Sequence, residues 1–315
     1  SLLPCGERAE IIIVDDGSTD ATGEIADEYA AVYPKIVKVV HKENGGHGSG
    51  VNVGLKLASG RFFKVVDSDD WLDPAALAKV LESLASLGDV VDLLVCNYVY
   101  DHLYEKKQKS VDFANVFPEN VICSWQDMHH FHASQYLVMH ALIFRTAVLR
   151  KSGVKLPEHT FYVDNLFAYR PLPFVKKILY RNVDLYHYFL GRDDQSVNEE
   201  SYMRRIDQQI AVTKLVADSV DLRRVRRISP KLERYMERNI SVMMSISSIY
   251  LLMTGTEEAL EKRRELWRYM KDKDAGLYYR LRLTKLAGLT CLPGQVGGKL
   301  TLWGYRRAKG TYQFG

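Results

Sequence analysis

The chain has 315 residues, of which 47% are hydrophobic and 26% are charged, and its formal net charge is +4. This composition is typical of a folded protein with a substantial core, and it excludes low-complexity and fibrous classes. No segment approaches the roughly 18 apolar residues that a membrane-spanning helix needs. The four cysteines stand singly, without the spacing of a zinc site or a disulfide framework, so we expect a protein of the reducing cytoplasm.

Basic charge is concentrated near the C-terminus. Residues 262–309 carry 13 Lys and Arg but only three acids. A basic stretch interleaved with leucines and aromatic residues can lie on an anionic membrane surface. An ordinary amphipathic helix packed on the rest of the chain explains the same pattern. The sequence leaves both interpretations open.

The first predicted strand ends in acidic residues. An apolar strand, Glu10–Val14, runs directly into the polar turn Asp15-Asp16-Gly17-Ser18-Thr19-Asp20. A helix follows as far as Pro34, and a second strand spans Ile36–His41. This β-α-β order predicts two parallel strands, with the acidic turn at the edge of the sheet where α/β proteins bind ligands. One face of the helix is apolar and comprises Ile25, Tyr29, Val32 and Tyr33.

A glycine-rich loop, residues 44–50, follows the second strand. It lacks the Lys-Ser/Thr of a phosphate-binding P-loop and the spacing of a dinucleotide-binding fingerprint. It is either a simple connector or a loop whose backbone N–H groups approach an anion closely. His47 within it is either a hydrogen-bonding loop residue or a functional one. A short helix comes next and ends at Gly60.

The third predicted strand, Arg61–Val66, ends in Asp67-Ser68-Asp69-Asp70. In an extended chain the side chains of Asp67 and Asp69 point to the same side. Two carboxylates that close together repel each other unless a cation lies between them, and oxygen ligands suit Mg²⁺ or Mn²⁺. The alternative is a solvated acidic turn before the next helix, which Asp73 and Pro74 begin.

The remaining pattern predicts an α/β region followed by helices. From about residue 198 the segments become long and helical, so we place a boundary between residues 1–197 and 198–315. Asp164 opens a short helix that ends at Arg170. The other predicted elements are a helix at Pro74–Leu87, a strand at Asp92–Tyr100, a hairpin within 101–118, a strand at His140–Arg145, a helix at Thr146–Ser152, a strand at Ile178–Phe189, and three helices near 200–220, 230–253 and 257–271.

Taken together, these motifs make residues 1–197 resemble the family 2 glycosyltransferases of the GT-A fold. Four features occur in the family's order: the acidic turn 15–20, Asn44-Gly45-Gly46 with Asn52 after it, Asp67-Ser68-Asp69-Asp70-Trp71, and Asp164 close to Arg170. The resemblance implies a Rossmann-like, mostly parallel α/β sheet flanked by helices. It also implies inverting transfer of a sugar from a nucleotide-sugar, such as a UDP-sugar, to a hydroxyl group in cell-surface polysaccharide or glycopolymer synthesis.

The resemblance assigns expected roles to individual residues. Asp164 is the catalytic base, Asp69 together with Asp67 holds Mn²⁺ or Mg²⁺, and Asp67 also lies near the ribose. His187 and Arg192 belong to a loop, Tyr186–Arg192, that closes over the diphosphate. The remaining expected nucleotide contacts are Asp15, Asp16, Gly17, Ser18, Asn44, Gly45 and Asn52. The acceptor is a glycan, a lipid-linked sugar or a polymer, with peripheral attachment at the inner membrane face and no nucleic acid.

The chain also departs from the family pattern. The family's first strand and helix have no counterpart before Ser1, Gly50-Val51 stands where many relatives have Ala-Arg, and Val163 stands where an acid usually precedes Asp164. An alternative is therefore a transferase-like module that binds a nucleotide or a partner without turnover. A phosphatase of the Asp-x-Asp type is disfavoured, because Asp70-Trp71 replaces the Gly-Thr that such a motif requires.

Overall fold

A computed structural model describes residues 1–102, 107–191, 199–292 and 294–312. Its contacts divide the chain into two compact units, residues 1–191 and residues 192–315. The division lies six residues before the boundary predicted from the sequence. The assignment of 1–197 and 198–315 as domains stays a prediction, and each unit is described separately.

The first unit opens with a short 3-10 helix, Leu3–Arg8, and a parallel β-α-β unit. Strand β1 (Ile11–Asp15) and strand β2 (Val37–His41) pair in parallel from Ile11 opposite Val37 to Asp15 opposite His41. Helix α1 (Thr22–Val32) connects them. The predicted order is confirmed, and it places Asp15 at the carboxyl end of its strand.

The apolar face predicted for α1 is not buried. Ile25, Tyr29, Val32 and Tyr33 are 37–67% exposed, and within the helix only Ala26 is buried. The strands next to this helix form a separate two-stranded sheet, which leaves that face uncovered by the described residues.

The third predicted strand is shorter than the apolar run. Helix α2 (His47–Leu57) leads to strand β3, which spans only Phe62–Phe63 because it pairs with its neighbour at just these two positions. Strand β4 (Trp71–Leu72) then precedes helix α3 (Pro74–Leu87). The helix is confirmed with its predicted cap, since Asp73 accepts a hydrogen bond from the Ala76 N–H at 2.7 Å.

The main sheet of the first unit is mixed. Its order is β3-β8-β5-β9-β4, with β6 on β5 and β7 on β9. The β5–β9 pair is parallel and the other pairs are antiparallel, so this sheet is mixed rather than mostly parallel as the resemblance implied. The new strands are β5 (Leu93–His102), β6 (Lys107–Val111), β7 (Ile122–Cys123), β8 (Leu142–Arg145) and β9 (Ile178–Leu190).

Helices flank this sheet, so the predicted α/β class is confirmed. Helix α4 (Thr146–Ser152) has the bounds predicted for it and ends at the left-handed Gly153. Helix α5 (Asp164–Tyr169) begins at the predicted residue. The core is centred on β5, where all residues from Leu93 to Val99 are buried. This rigid centre carries the strand ends that bear the candidate site.

The second unit is helical. The segment predicted near 200–220 is divided into α6 and α7, and the two later predictions correspond to α9 and α10. Long α9 is the centre of the unit, with Met236, Ile240, Met244 and Leu251 buried. No helix in the described part of the chain is both long and apolar enough to cross a membrane. The helices are α6 (Glu199–Arg204), α7 (Ile206–Ser219), α8 (Leu222–Ile228), α9 (Pro230–Thr254), α10 (Glu257–Lys273), α11 (Ala275–Thr284), α12 (Leu286–Leu289) and α13 (Gly294–Tyr312).

Candidate active site

Asp15 anchors the polar turn after β1. Its side chain accepts a hydrogen bond from the Ser18 N–H at 3.0 Å and lies 2.9 Å from Nδ1 of His41. The hydrogen bonds from Ser18 and His41 lower the pKa of Asp15 to about 2. The carboxylate is therefore ionised throughout the physiological range, and Asp15, Gly17 and Ser18 form one fixed turn.

Asp16 joins this turn to the glycine-rich loop. One carboxylate oxygen accepts from the Gly45 N–H at 3.0 Å and the other from the Gly46 N–H at 2.6 Å. Lys42 pairs with the same carboxylate at 2.5 Å, and the Asn44 amide donates to the Asp16 carbonyl at 2.9 Å. Burial opposes ionisation, but these donors lower the pKa of Asp16. The structure thus brings together Asp15, Asp16, Gly17, Ser18, Asn44 and Gly45.

The glycine-rich loop packs tightly against residues 156–160. A Cβ on Gly48 would lie 2.5 Å from the Pro157 carbonyl oxygen, and Gly46 has a φ of 79°. The Asn52 amide group bonds to the Leu156 backbone in both directions, at 2.8 and 3.0 Å. Asn52 therefore holds this packing together, and its direct contact with a nucleotide stays a prediction.

Asp67 is held by two histidines. One carboxylate oxygen is 2.9 Å from Nε2 of His47, and the other is 3.6 Å from Nε2 of His140. Burial alone would raise the pKa of Asp67, but His140 and His47 outweigh it and lower that pKa. Conversely, Asp67 raises the pKa of His47 against the effect of burial. The glycine-rich loop therefore places the imidazole of His47 next to Asp67, in the acidic segment that follows β3.

Asp70 lies beside Asp67 in the same cluster. It accepts hydrogen bonds from Tyr186 Oη at 2.5 Å and from the Phe189 N–H at 2.9 Å, which fix it to β9. Burial raises the pKa of Asp70 to about 6. Ligand atoms of Asp67, Asp70 and His140 all lie within 4.8 Å of one another. These three side chains could together hold a metal ion.

Asp69, the metal ligand predicted from the strand periodicity, is not in this group of three. The alternation of side chains that predicted Asp67 and Asp69 on one side applies only within an extended strand. Here β3 ends at Phe63, and the Asp70 N–H turns back to the Asp67 carbonyl at 3.1 Å. The turn brings Asp70 to Asp67, and a metal role for Asp69 stays a prediction.

Asp164 lies at the first position of α5 and does not cap it. The cap residue is Val163, and no side chain accepts a capping hydrogen bond there. Burial raises the pKa of Asp164, although His140 and His47 oppose this, and the Asp67 charge raises it further. Tyr162, two residues earlier, has a φ of 65°, so the chain is strained where it delivers this carboxylate. Asp164 is thus a half-buried acid beside both histidines.

The segment predicted to close over the diphosphate is largely strand. Tyr186 to Leu190 belong to β9, where His187 stacks on Trp71 with ring centroids 5.2 Å apart and pairs with Asp101 at 3.1 Å. His187 is therefore fixed within the sheet. Arg192 lies outside the described residues.

Two members of the site, His140 and Lys64, have no counterpart among the sequence-based assignments, and Tyr186 was assigned only as part of the diphosphate loop. His140 stacks on Tyr188 at 4.6 Å between centroids, and Tyr186 bonds Asp70. Lys64 donates to the His140 carbonyl at 2.7 Å and lies 4.6 Å from the Tyr186 ring centroid. Burial lowers the pKa of Lys64 to about 8. The only sequence signal was their polar character at strand ends.

Comparisons with known proteins identify the family of the chain. Residues 2–152 match the family model described as Glycosyl transferase family 2. Glycosyltransferase EpsH of Bacillus subtilis is 27% identical over 274 residues, which cover 82% of this chain and 74% of that protein. Minor teichoic acid biosynthesis protein GgaB of the same species is 34% identical over 88 residues, which cover 28% of this chain and 10% of that protein.

The fold has solved counterparts. The crystal structure of S. aureus TarS residues 1–349 in complex with UDP-GlcNAc superposes with a TM-score of 0.65 and covers 96% of this chain and 86% of that chain. At 16% identity this similarity establishes the fold alone. The chain is a glycosyltransferase, and its residues 2–152 belong to glycosyl transferase family 2.

Proposed function

We propose that the chain transfers a sugar from a UDP-sugar, with inversion, to an acceptor hydroxyl in the synthesis of a cell-surface polysaccharide or glycopolymer. The observation that carries the proposal is the convergence of Asp67, Asp70 and Asp164 with two histidines beside the glycine-rich loop. The printed names of the relatives support the substrate class, since GgaB acts in teichoic acid synthesis and TarS was crystallised with UDP-GlcNAc.

The turn around Asp15 and Asp16 is the proposed nucleotide end of the site. Both carboxylates have lowered pKa values, so they are available as anionic acceptors for the N–H groups of a base or the hydroxyl groups of a ribose. Gly17 has a φ of 78°, and its Cβ would lie 2.9 Å from the Asn44 nitrogen. Only glycine permits this close approach of the two loops.

A divalent ion, Mn²⁺ or Mg²⁺, fits the acidic end. Two carboxylates are ligands that these hard ions prefer, and His140 adds an imidazole nitrogen within the same 4.8 Å group. When bound, such an ion neutralises charge on the departing diphosphate. We place it on Asp67, Asp70 and His140, while the assignment to Asp67 and Asp69 remains the alternative to be tested.

Asp164 is the proposed base. The acceptor hydroxyl oxygen forms a bond to the anomeric carbon, the bond from that carbon to the diphosphate oxygen breaks, and the hydroxyl proton passes to the Asp164 carboxylate. A raised pKa suits this proton transfer, because it makes the carboxylate a stronger base toward the acceptor hydroxyl. A base placed in this way contributes roughly 10²–10⁴-fold to the rate.

The experiment is an assay of UDP release from a panel of UDP-sugars with Mn²⁺ and candidate acceptors. The wild type should release UDP with one donor, and Asp164→Asn should not. Asp73→Asn is the matched control, since Asn caps a helix about as well as Asp and Asp73 caps α3. UDP binding without turnover on any donor would instead support the binding-module alternative.

The other partners and the location stay predictions. They comprise a glycan, lipid-linked or polymer acceptor, a cytoplasmic location, and peripheral attachment at the inner membrane face.

A further inference from the structure

The helical second unit contains a strongly cationic pocket. It has a volume of about 290 Å³ and is lined by five basic side chains from α10 and α11: Arg263, Arg264, Arg268, Lys271 and Arg282. Trp267 and Tyr278, packed edge to face at 6.0 Å, contribute its aromatic wall. No carboxylate is among the lining residues described for it. The pocket therefore presents concentrated positive charge.

Nearby acids compensate only part of this charge. Arg264 pairs with Glu257 and Glu261 at 2.5 Å, and Arg268 lies 3.6 Å from Glu261. Within the described ranges, Arg263, Lys271 and Arg282 form no ion pair. Three cations in one pocket thus lack an anionic partner among the described residues.

Arg263 has a hydrogen-bond donor that the described residues do not satisfy. Its Nη2 donates to the Thr290 carbonyl, but its Nε is buried without a hydrogen-bond partner among the described residues. Burial, together with the neighbouring Arg264 and Arg282, lowers the pKa of Arg263. Cys291 also lines the pocket, but burial raises the pKa of its thiol, so it does not supply the missing negative charge. The buried Nε–H of this half-buried guanidinium lacks an acceptor, and an anion would satisfy both that donor and the charge.

A second basic pocket in the same unit differs from the first because acidic residues also line it. Arg223, Arg226, Arg227 and Arg280 line it, but so do the acids Glu233 and Asp274. Arg223 lies 3.8 Å from Asp274, and Arg280 pairs with the buried Glu237 at 2.6 Å. This pocket is partly neutralised by acids of the chain itself, and it provides an internal comparison.

Exposed apolar side chains lie close in sequence to residues that line the first pocket. Leu283 follows the lining residue Arg282 in the sequence, and its side chain is 75% exposed. Leu289 and Leu292 are close to Cys291 in the sequence, and their exposed fractions are 55% and 39%. The Thr301 hydroxyl donates to the Leu289 carbonyl at 3.0 Å, which brings α13 to the same edge. Trp303 on that helix is 59% exposed. Basic residues with exposed leucines and a tryptophan are the signature of a membrane-surface contact.

We propose that this pocket binds the phosphate headgroup of an anionic phospholipid, while Leu283, Leu289 and Trp303 rest in the interfacial layer of the bilayer. A phosphodiester supplies the oxygen acceptors that guanidinium groups bind best. The apolar rim favours a lipid over a free phosphate compound, since a small soluble anion does not cover exposed leucines. The site lies in the helical unit and is independent of the transfer chemistry proposed above.

The test is flotation of the full chain with vesicles of phosphatidylcholine alone or mixed equally with phosphatidylglycerol. Wild-type protein should float with the anionic vesicles at low salt and be released at about 1 M NaCl, where the Debye length is only about 3 Å. The double variant Lys271→Glu with Arg282→Glu should bind at least about tenfold more weakly. Absence of wild-type binding at low salt overturns the proposal.

The matched control is Arg226→Glu with Arg227→Glu, which makes the same change in charge at the second pocket, whose lining includes two acids. It should retain binding to the anionic vesicles, and an equal loss in both double variants would overturn the pocket in favour of nonspecific attraction. Circular dichroism and the Tm confirm that each variant is folded.

A second experiment distinguishes a phospholipid from a soluble phosphate compound as the ligand of the pocket. Leu283→Ser with Trp303→Ser should weaken vesicle binding several-fold while leaving the thermal shift caused by glycerol phosphate unchanged. If this variant binds vesicles as wild type does, the apolar rim plays no part and the lipid assignment is wrong. UDP release with a soluble acceptor should be the same in all these variants, so failure of the headgroup site is distinguishable from failure of the transferase proposal.

Discussion

Tyr186 Oη donates a hydrogen bond to Asp70 Oδ2 at 2.5 Å, which ties the acidic turn after β3 to strand β9. Through this bond Asp70, rather than Asp69, comes within 4.8 Å of the ligand atoms of Asp67 and His140. Asp69 and Asp70 are adjacent in sequence and carry the same carboxylate group. Their different positions therefore allow a direct test of which one binds metal.

We expect Asp70→Asn to abolish the cooperation between UDP and Mn²⁺. In the wild type, UDP with Mn²⁺ should raise the Tm by more than the sum of the separate shifts, because each ligand completes the site of the other. Asp70→Asn should leave only the separate shifts. Asp69→Asn is the matched comparison, and loss of cooperation there, with retention in Asp70→Asn, would establish the assignment made from the sequence.

Asp164→Asn should lower the rate of catalysis without changing the stability of the protein. Because Asp164 makes no capping hydrogen bond in α5, the Tm and the affinity for UDP should stay as in the wild type. The value of kcat should fall by roughly 10²-fold or more, because an amide accepts no proton. Normal turnover by this variant would show that the base is another residue, and His187 would be examined next.

Gly48→Ala should destabilise the protein through the packing of the glycine-rich loop. The new methyl group would lie 2.5 Å from the Pro157 carbonyl oxygen, a backbone atom that cannot move independently. We expect a loss of about 1–3 kcal/mol in the free energy of unfolding and weaker UDP binding. The measurement is urea unfolding.

Gly50→Ala in the same helix is the control for that prediction. Its Cβ would meet only Val14 Cγ1, at 3.9 Å, and alanine is favoured over glycine in helices by up to about 1 kcal/mol. Equal destabilisation by both substitutions would contradict the assigned role of the close contact at Gly48.

The His41–Asp15 pair predicts a dependence of stability on pH. Asp15 and Asp27 raise the pKa of His41, so the folded state binds its proton more tightly than the unfolded state does. This stabilisation is fully present below the unfolded pKa of about 6.5 and is lost as the pH rises through the higher folded value. Asp15, with a pKa of about 2, stays ionised throughout this range.

The measurement is the Tm of the wild type and of His41→Gln between about pH 5 and pH 9. The advantage of the wild type should shrink as the pH rises. Asp27→Asn provides the control, since it removes one of the two carboxylates that raise the pKa of His41 and should therefore reduce this dependence on pH. A constant difference for His41→Gln would mean that the ion pair contributes nothing.

The sequence by itself determined many of the elements and part of the candidate site. Hydrophobic periodicity and caps sufficed for α3 and α4, because the signals that begin and end these helices are local. The acidic ends of two apolar strands located the polar turn 15–20 and Asp67 for the same reason. Asp164 was found through the resemblance to a family, since a lone carboxylate at the start of a helix carries no distinguishing local signal.

Only the tertiary structure decided which side chains meet. Pairs such as His140 with Asp67 and Tyr186 with Asp70 are far apart in the sequence and come together because β5, β8 and β9 are neighbours in one sheet. Asp70, and not Asp69, joins Asp67 and His140 because the chain turns back on itself after β3. The prediction had assumed that the side chains alternate as in an extended strand. Long-range contacts and backbone turns of this kind depend on packing, which no local pattern of residues encodes.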